Sequence, residues 1–244
     1  SADLMGRIRL TETDLWSFIM EATPQTFVLR AFSRLKVIIE PLLASFVLII
    51  LTPLFLLIAL GIKLGSHGPV LYEQIRTGYL GQQFRLVKFR SMPLDAERDG
   101  PQWCQPNDCR VTGFGSFLRK TRLDELPQLW NVVRGEMGFF GPRPERPEIY
   151  ERLNAEIPLF SMRTIVRPGI TGWAQVCAGY AATVEESKRK LEYDLYYIKH
   201  MSPRLDLIIL IKTIFGAFFG FKEEVPRLRL VAGQSSTTVK VGNG

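Results

Sequence analysis

Arg119-Lys120-Thr121-Arg122-Leu123-Asp124-Glu125-Leu126-Pro127 is the stretch on which the reading of this chain turns. Three cations precede two adjacent carboxylates. Pro127 follows at a position suited to the first turn of a helix, where its missing N–H costs nothing and its φ is already set. Leu126, Leu129, Trp130 and Val133 then recur at i, i+3, i+4 and i+7, and Gly135 supplies a stop. The spacing predicts a helix that starts just after Asp124 and Glu125 and sets both at its positive end, which carries about half an elementary charge. With Arg119, Lys120 and Arg122 alongside, that end favours an ionised carboxylate and attracts phosphate. Two readings stay open from these residues alone: a nucleophilic Asp beside a bound phosphate, and a solvated charge cluster at a helix start.

The chain of 244 residues is long enough for one sizeable domain or two small ones, and its 46% hydrophobic content allows a real core. A net charge of +7 suits nucleic acid, an anionic membrane surface or a phosphorylated substrate equally well, so position has to decide between them. Cys104, Cys109 and Cys177 lack the paired spacing of a structural zinc site and read as reduced thiols. The sequence opens Ser1-Ala2-Asp3, with neither an initiator methionine nor a secretory leader, as the rear part of a longer protein would.

Residues 1–34 read as a lead-in helix or linker. From Pro41 to Ile62 there is no charge, a run long enough to cross the roughly 30 Å hydrocarbon layer at about 1.5 Å per residue. A plain spanning helix is one reading. Thr52-Pro53, near the middle of the run, predicts a kink. Basic residues lie on both flanks, Arg30, Arg34 and Lys36 before and Lys63, Arg76, Arg85, Lys88 and Arg90 after, which places both ends on the cytoplasmic side. A helix over 35–64 that enters, bends at Thr52 and Pro53 and returns to the same face satisfies both observations, and is preferred.

Residues 65–222 read as a catalytic domain with a small β-hairpin, 69–76 and 83–90, turning at Gly78 and Gly81, with Lys88 and Arg90 near its end. Residues 95–113 lack periodicity and read as a loop over the site, followed by a short helix from Ser116. Two rigid Gly/Pro turns, 138–144 and 167–173, each present an arginine, Arg143 and Arg167, suited to bidentate phosphate contact. Over 183–199, a Thr183/Glu186 capping box opens a helix whose apolar stripe of Leu191, Leu195 and Ile198 also carries Asp194. A carboxylate on a core-facing line points to a site role, with a structural salt bridge as the alternative. Residues 205–221 are apolar but short for a span and read as an interfacial helix; 223–244 read as a disordered tail. The fold class is α+β, mostly helical, with a small hairpin, a re-entrant monotopic helix and interfacial amphipathic helices.

Lys88-Phe89-Arg90-Ser91-Met92, 119–127, Gly141-Pro142-Arg143-Pro144-Glu145, 167–175 and Tyr193-Asp194-Leu195-Tyr196-Tyr197, in that order, resemble the bacterial sugar transferase family, the monotopic phosphoglycosyl transferases that act on polyprenyl phosphate. The resemblance runs from about Arg34 to Gly220, and its wording over 181–199 is closer to the large multi-domain members. It implies transfer of a sugar 1-phosphate from a nucleotide diphosphate sugar, a UDP-sugar, to undecaprenyl phosphate at the cytoplasmic face of the bacterial inner membrane. Asp124 is then the nucleophile and Glu125 its partner. Lys88, Arg90, Arg119, Arg122, Arg143, Arg167, Gln175 and Asp194 become substrate or phosphate groups, and Mg²⁺ is the cofactor, with Glu125 and Asp194 as its ligands. Cys177 stands where a polar residue is expected. Nucleic acid is set aside as a partner for want of any recognisable motif, and a homo-oligomer is left open. A rival from another class is a membrane-anchored scaffold. A second rival, a glycosyltransferase that moves the sugar without its phosphate, releases a nucleoside diphosphate instead of a monophosphate.

Overall fold

The structure, a computed structural model, describes residues 27–93, 110–178 and 183–219. The lead-in before Phe27, the expected loop between 94 and 109 and the tail beyond 219 lie outside the described residues. The architecture is mostly helical with two small sheets.

Helix α1 runs Phe27–Gly65 as one stretch of 39 residues, so the expected boundary at 34/35 falls inside a helix. No helix breaker stands between Phe27 and Arg34 to create that boundary. Pro41 and Pro53 lie within α1 without ending it. Ser45 Oγ donates to the Pro41 carbonyl and Thr52 Oγ1 to the Leu48 carbonyl, the back-bonding that accompanies helix bending. Thr52 and Pro53 are exposed, and a proline on the outer side opens that side of the helix.

The faces of α1 are inverted relative to a soluble helix. Lys36 and Glu40 point inward, while Ile38, Leu42, Phe46, Ile49, Leu56, Leu57 and Leu60 point outward. The inward line continues through Ala44, Val47, Leu48, Leu51, Leu54, Phe55, Ile58 and Ile62, all packed on the rest of the protein. Lys36 Nζ stands 2.7 Å from Asp206 Oδ2, and at the other end Gly61 admits the Phe114 ring so closely that any Cβ would collide with it. The body therefore grips this helix from Lys36 to Ile62.

Strands β1 (Leu71–Thr77) and β2 (Gln83–Phe89) form the expected antiparallel hairpin. Helix α2 (Gly113–Lys120) begins three residues earlier than expected because Thr112 Oγ1 caps the Gly115 N–H. After a 3₁₀ turn, Leu123–Glu125, comes α3 (Gln128–Val133). Strands β3 (Gly138–Phe140) and β4 (Gly169–Thr171) pair in parallel, with α4 (Pro147–Glu156) and a 3₁₀ segment, Phe160–Ile165, between them. The two Gly/Pro turns of the sequence are thus one unit. Gly138 N–H donates to Pro168 O at 2.8 Å and Gly169 N–H to Pro142 O at 3.0 Å. A Cβ on Gly169 would collide with Gly141 N, so the close backbone approach requires glycine.

Helices α5 (Trp173–Ala178), α6 (Val184–His200) and α7 (Pro203–Phe219) complete the chain, and the Thr183/Glu186 capping box forms as the spacing predicts. Cys177 lies buried among Ala174, Val176, Tyr193 and Tyr197, in core packing. On α7 the outward residues are Leu207, Leu210, Ile211, Ile214 and Phe215, one helical face by spacing. Its inner side carries Asp206, bound to Lys36 and Tyr197, and Thr213, bound to Thr171. Two helices with polar groups inward and apolar groups outward form an exposed apolar surface.

Candidate active site

The carboxylates Asp124 and Glu125 do not sit on a long helix. Arg122 adopts a left-handed conformation, φ 59°, which ends α2 and reverses the chain into the 3₁₀ turn that holds both acids. A non-glycine residue there costs on the order of 1 kcal/mol, strain of a kind that gathers at functional sites. Helix α3 has six residues, too few for the helix-end field expected from sequence to govern the pair. Trp130, expected on the inner stripe, is exposed; the buried positions of α3 are Gln128, Leu129, Asn131 and Val132.

Asn131 explains that rotation of the stripe. Its Oδ1 accepts from Val87 N–H at 3.0 Å, and its Nδ2 donates to the Arg85 carbonyl at 2.6 Å and to Glu136 Oε2 at 2.7 Å. The amide thereby continues the edge of β2 and fixes α3 against the strand that carries Lys88. Leu118 and Leu123, on either side of the Arg122 reversal, pack on Ile58 and Ile62 of α1, so the acid pair is anchored beside that helix.

Glu125 is clamped. Arg143 Nη2 stands 2.5 Å and Lys88 Nζ 3.2 Å from its Oε1. Burial pushes the Glu125 carboxyl up, but Arg143 and Lys88 outweigh it and hold it well below the usual carboxylate range. The Lys88 ammonium is lowered to about 8, chiefly by burial, with Glu125 pulling it back up and Arg143 repelling it further.

Asp124 differs. It is buried, its Oδ1 has no hydrogen-bond partner, and among the described residues no cation stands within ion-pair distance of it. Its pKa is raised, first by burial and then by Glu125, while Lys88, Arg119 and Arg143 pull it down. Burial thus opposes the ionised form that a helix terminus was expected to favour, and makes the carboxylate more basic. One acid is fixed and ionised; the other has a free oxygen and higher basicity. Such a pair can divide positioning from nucleophilic attack.

The remaining expected site residues divide between this centre and elsewhere. Arg119 and Arg122 flank the acids in sequence and act on them electrostatically. Arg90 does not join them: buried, it donates to the His67 and Ser66 carbonyls and to Ser66 Oγ, binding β2 to the chain just after α1. Arg167 comes to lie near Gly135, beyond the end of α3. Gln175 Nε2 donates to the Ile170 carbonyl at 3.3 Å, while its Oε1 is buried without a hydrogen bond.

Asp194 is 1% exposed and belongs to a second cluster. Arg163 Nη2 stands 2.8 Å from its Oδ2, and Arg163 and Lys190 both reach Glu145 Oε1, at 3.3 and 2.8 Å. The salt bridge left open as the alternative at Asp194 is what the contacts show, and they do not bring Asp194 to Glu125.

Arg76, Gln128 and Asn131 were missed from sequence. Arg76 and Lys88 share one face of the hairpin, which strand parity with the two-glycine turn could have revealed. Gln128 lies four residues after Asp124 and is 1% exposed, with an amide nitrogen lacking any partner.

A buried acid pair ringed by cations, anchored beside a helix with an exposed apolar face, is a centre suited to anionic groups. The family model for bacterial sugar transferases matches residues 31–220, and the chain belongs to that family. It is similar to the UDP-N-acetylgalactosamine-undecaprenyl-phosphate N-acetylgalactosaminephosphotransferase of Aeromonas hydrophila, 43% identical over 224 residues, which cover 91% of this chain and 51% of the relative. It is also similar to two proteins named UDP-glucose:undecaprenyl-phosphate glucose-1-phosphate transferase. That of Klebsiella pneumoniae is 40% identical over 198 residues, 80% of this chain and 42% of the relative. That of Caulobacter vibrioides is 40% identical over 183 residues, 73% of this chain and 68% of the relative. The chain spans about half the length of the first two of these relatives.

Proposed function

We propose that this chain transfers a sugar 1-phosphate from a UDP-sugar to undecaprenyl phosphate through a phospho-Asp124 intermediate, initiating assembly of a surface glycan. The observation that carries the reading is Asp124 itself: a buried carboxyl with a free oxygen, next to an acid already neutralised by Lys88 and Arg143. Asp124 attacks the phosphorus that bears the sugar. The bond from that phosphorus to the bridging oxygen breaks, its electron pair stays on the oxygen, and uridine monophosphate leaves. A phosphate oxygen of undecaprenyl phosphate then attacks the same phosphorus and frees Asp124, two displacements at one site. Lys88 and Arg143 are fixed in place by Glu125 and need no rearrangement to meet developing negative charge.

Magnesium is part of this proposal. Among the described residues no group of three or more acid, histidine or cysteine side chains converges on a metal position. The acid pair fits instead the way Mg²⁺ is held by one or two carboxylates together with substrate phosphates and water, with Asp124 and Glu125 as protein donors. The ion would offset charge on the pyrophosphate. Asp194, committed to Arg163, is not in this set.

The re-entrant topology is likewise proposed, with the site on the cytoplasmic face. What supports it is the inward line of α1, which packs on one body from Lys36 to Ile62. A straight spanning helix would carry about 30 Å of its length away from any aqueous domain. Cysteines placed at Leu35 and Leu64, both exposed, should label from the same side of sealed vesicles; labelling from opposite sides refutes the topology.

The chemical test is a trapped intermediate. UDP-sugar labelled at the sugar-bearing phosphorus should transfer label to the protein before lipid acceptor is added, with one equivalent of uridine monophosphate released. Asp124→Asn should lower that step by several orders of magnitude. Label on another residue, or none in a single turnover, refutes the covalent route. Release of uridine diphosphate would show that the sugar moves without its phosphate.

A further inference from the structure

The hairpin register sets Arg76 opposite Phe84 and Tyr72 opposite Lys88. Side chains two and four residues apart share a strand face, so Tyr72, Gln74 and Arg76 line the same face as Lys88. They are joined: Gln74 Nε2 donates to Tyr72 Oη at 3.2 Å, and Arg76 Nη2 donates to Gln74 Oε1 at 2.5 Å. Arg76 Nη1 donates to the carbonyl of Pro144 at 3.1 Å, which brings the guanidinium to the residue following Arg143. Thr77 and Gly78, next on the chain, line an open cleft together with Arg143 and Glu145.

Arg76 is thus held beside Arg143, yet among the described residues no carboxylate stands within ion-pair distance of it, and its Nε is buried without a hydrogen bond. Burial lowers it to about 10, with repulsion from Arg143 the next cause. Lys88 and Arg143 already share Glu125. Glu145 and Glu125 offset part of that repulsion from a distance, and an anion in contact with Arg76 would offset more. After burial and Glu125, the groups that act on Asp124 are Lys88, Arg119 and Arg143, while Arg76 lies on the far side of Arg143, at the Pro144 carbonyl.

We propose that Arg76, oriented by Gln74 and the Pro144 carbonyl, binds the phosphate that departs with the nucleoside, taking its anionic oxygens as the bond to the bridging oxygen breaks. The inference rests on the proposed transfer reaction and assigns a further group to its donor side. It gives the leaving phosphate its own cation, so that Lys88 and Arg143 remain for the phosphorus under attack.

The test uses the full chain in lipid nanodiscs, with uridine monophosphate as probe. Arg76→Ala should raise KM for the UDP-sugar about tenfold and weaken inhibition by uridine monophosphate by a similar factor. Discharge of a preformed adduct by undecaprenyl phosphate should keep its rate, because the nucleotide has already gone. Arg76→Lys should recover part of the affinity, as charge without the planar fork. Gln74→Leu, which leaves the charge in place, should move the same two quantities a few-fold and covers the case in which Arg76→Ala does not fold. Uridine monophosphate inhibition unchanged in folded Arg76→Lys and Gln74→Leu overturns the proposal. Equal slowing of both half-reactions also overturns it, since that would reduce Arg76 to a support of the Pro144 turn. If the wild-type chain binds uridine monophosphate in an Arg76-dependent way but forms no adduct, the covalent reaction falls and the phosphate site stands.

Discussion

The protein contains two buried ion clusters, and they are built differently. Around Asp194 and Glu145 stand Arg163 and Lys190, two acids against two bases, and the Arg163–Asp194 pair is sealed, with side chains 4% and 2% exposed. Around Asp124 and Glu125 stand Lys88 and Arg143 in contact and Arg76 and Arg119 nearby, an excess of cations, with Lys88 and Arg143 side chains 17% and 20% exposed. The first cluster joins α6, the 3₁₀ segment and the turn after β3, and its balance is internal. The second, among the described residues, sets four cations around two acids. Charge type alone makes the two alike; partner count and access separate them.

The largest effect that distinguishes them comes from removing one negative charge from each. Glu125→Gln should lower the rate of adduct formation about 100-fold or more, because Lys88 and Arg143 lose the group that fixes them. Its cost in stability should be smaller than that of Asp194→Asn, because the Lys88 and Arg143 side chains keep 17% and 20% exposure. Asp194→Asn should reverse the pattern. It leaves Arg163 sealed without its counter-charge, a loss of about 3–5 kcal/mol in unfolding measurements, while folded molecules form adduct within a few-fold of the wild-type rate. Adduct formation abolished in well-folded Asp194→Asn would erase the distinction and return Asp194 to the site.

How much of this could be read from sequence follows the range of each interaction. The hairpin, the Thr183 capping box and the apolar runs within α1 and α7 are local patterns, and helix or strand stands where the sequence puts them. The β3–β4 pair was not legible, because strands of three residues carry no alternation and their partners are about 30 positions apart. Asp124 and Glu125 were found as a charge pattern, but their 3₁₀ turn depends on a left-handed Arg122 that no residue type announces. Arg90 was assigned to the site through the family resemblance and Asp194 through its place on a core-facing stripe, and only the tertiary contacts show Ser66 and His67 bound to the one and Arg163 to the other. Arg76 failed in the opposite direction. It lay among the flanking basic residues, and its shared strand face with Lys88 gives it meaning only once the register is known.

The smallest effect is a pH dependence, and it sharpens the comparison because activity and stability move in opposite directions. Lys88 is lowered to about 8, chiefly by burial, from the ordinary 10.5 of a lysine. In the unfolded chain the same amine stays protonated to about 10.4, so between roughly pH 8 and 10.4 the unfolded state binds the extra proton. The contribution of Lys88 to stability therefore rises with pH across that window, and it is unfavourable below pH 8, where the folded protein must keep the buried charge. The proposed transfer needs that charge. The rate of adduct formation should halve near pH 8 and fall about tenfold per unit above it, while unfolding measurements over the same window show no parallel loss from this group. Lys88→Arg should carry the alkaline limb beyond the measurable range, since a guanidinium stays charged there, at some cost in geometry. Asp194 pairs with Arg163 and not with Lys88, so the limb should persist in Asp194→Asn. A limb that stays in Lys88→Arg would assign the titration to another group and remove Lys88 from the chemistry.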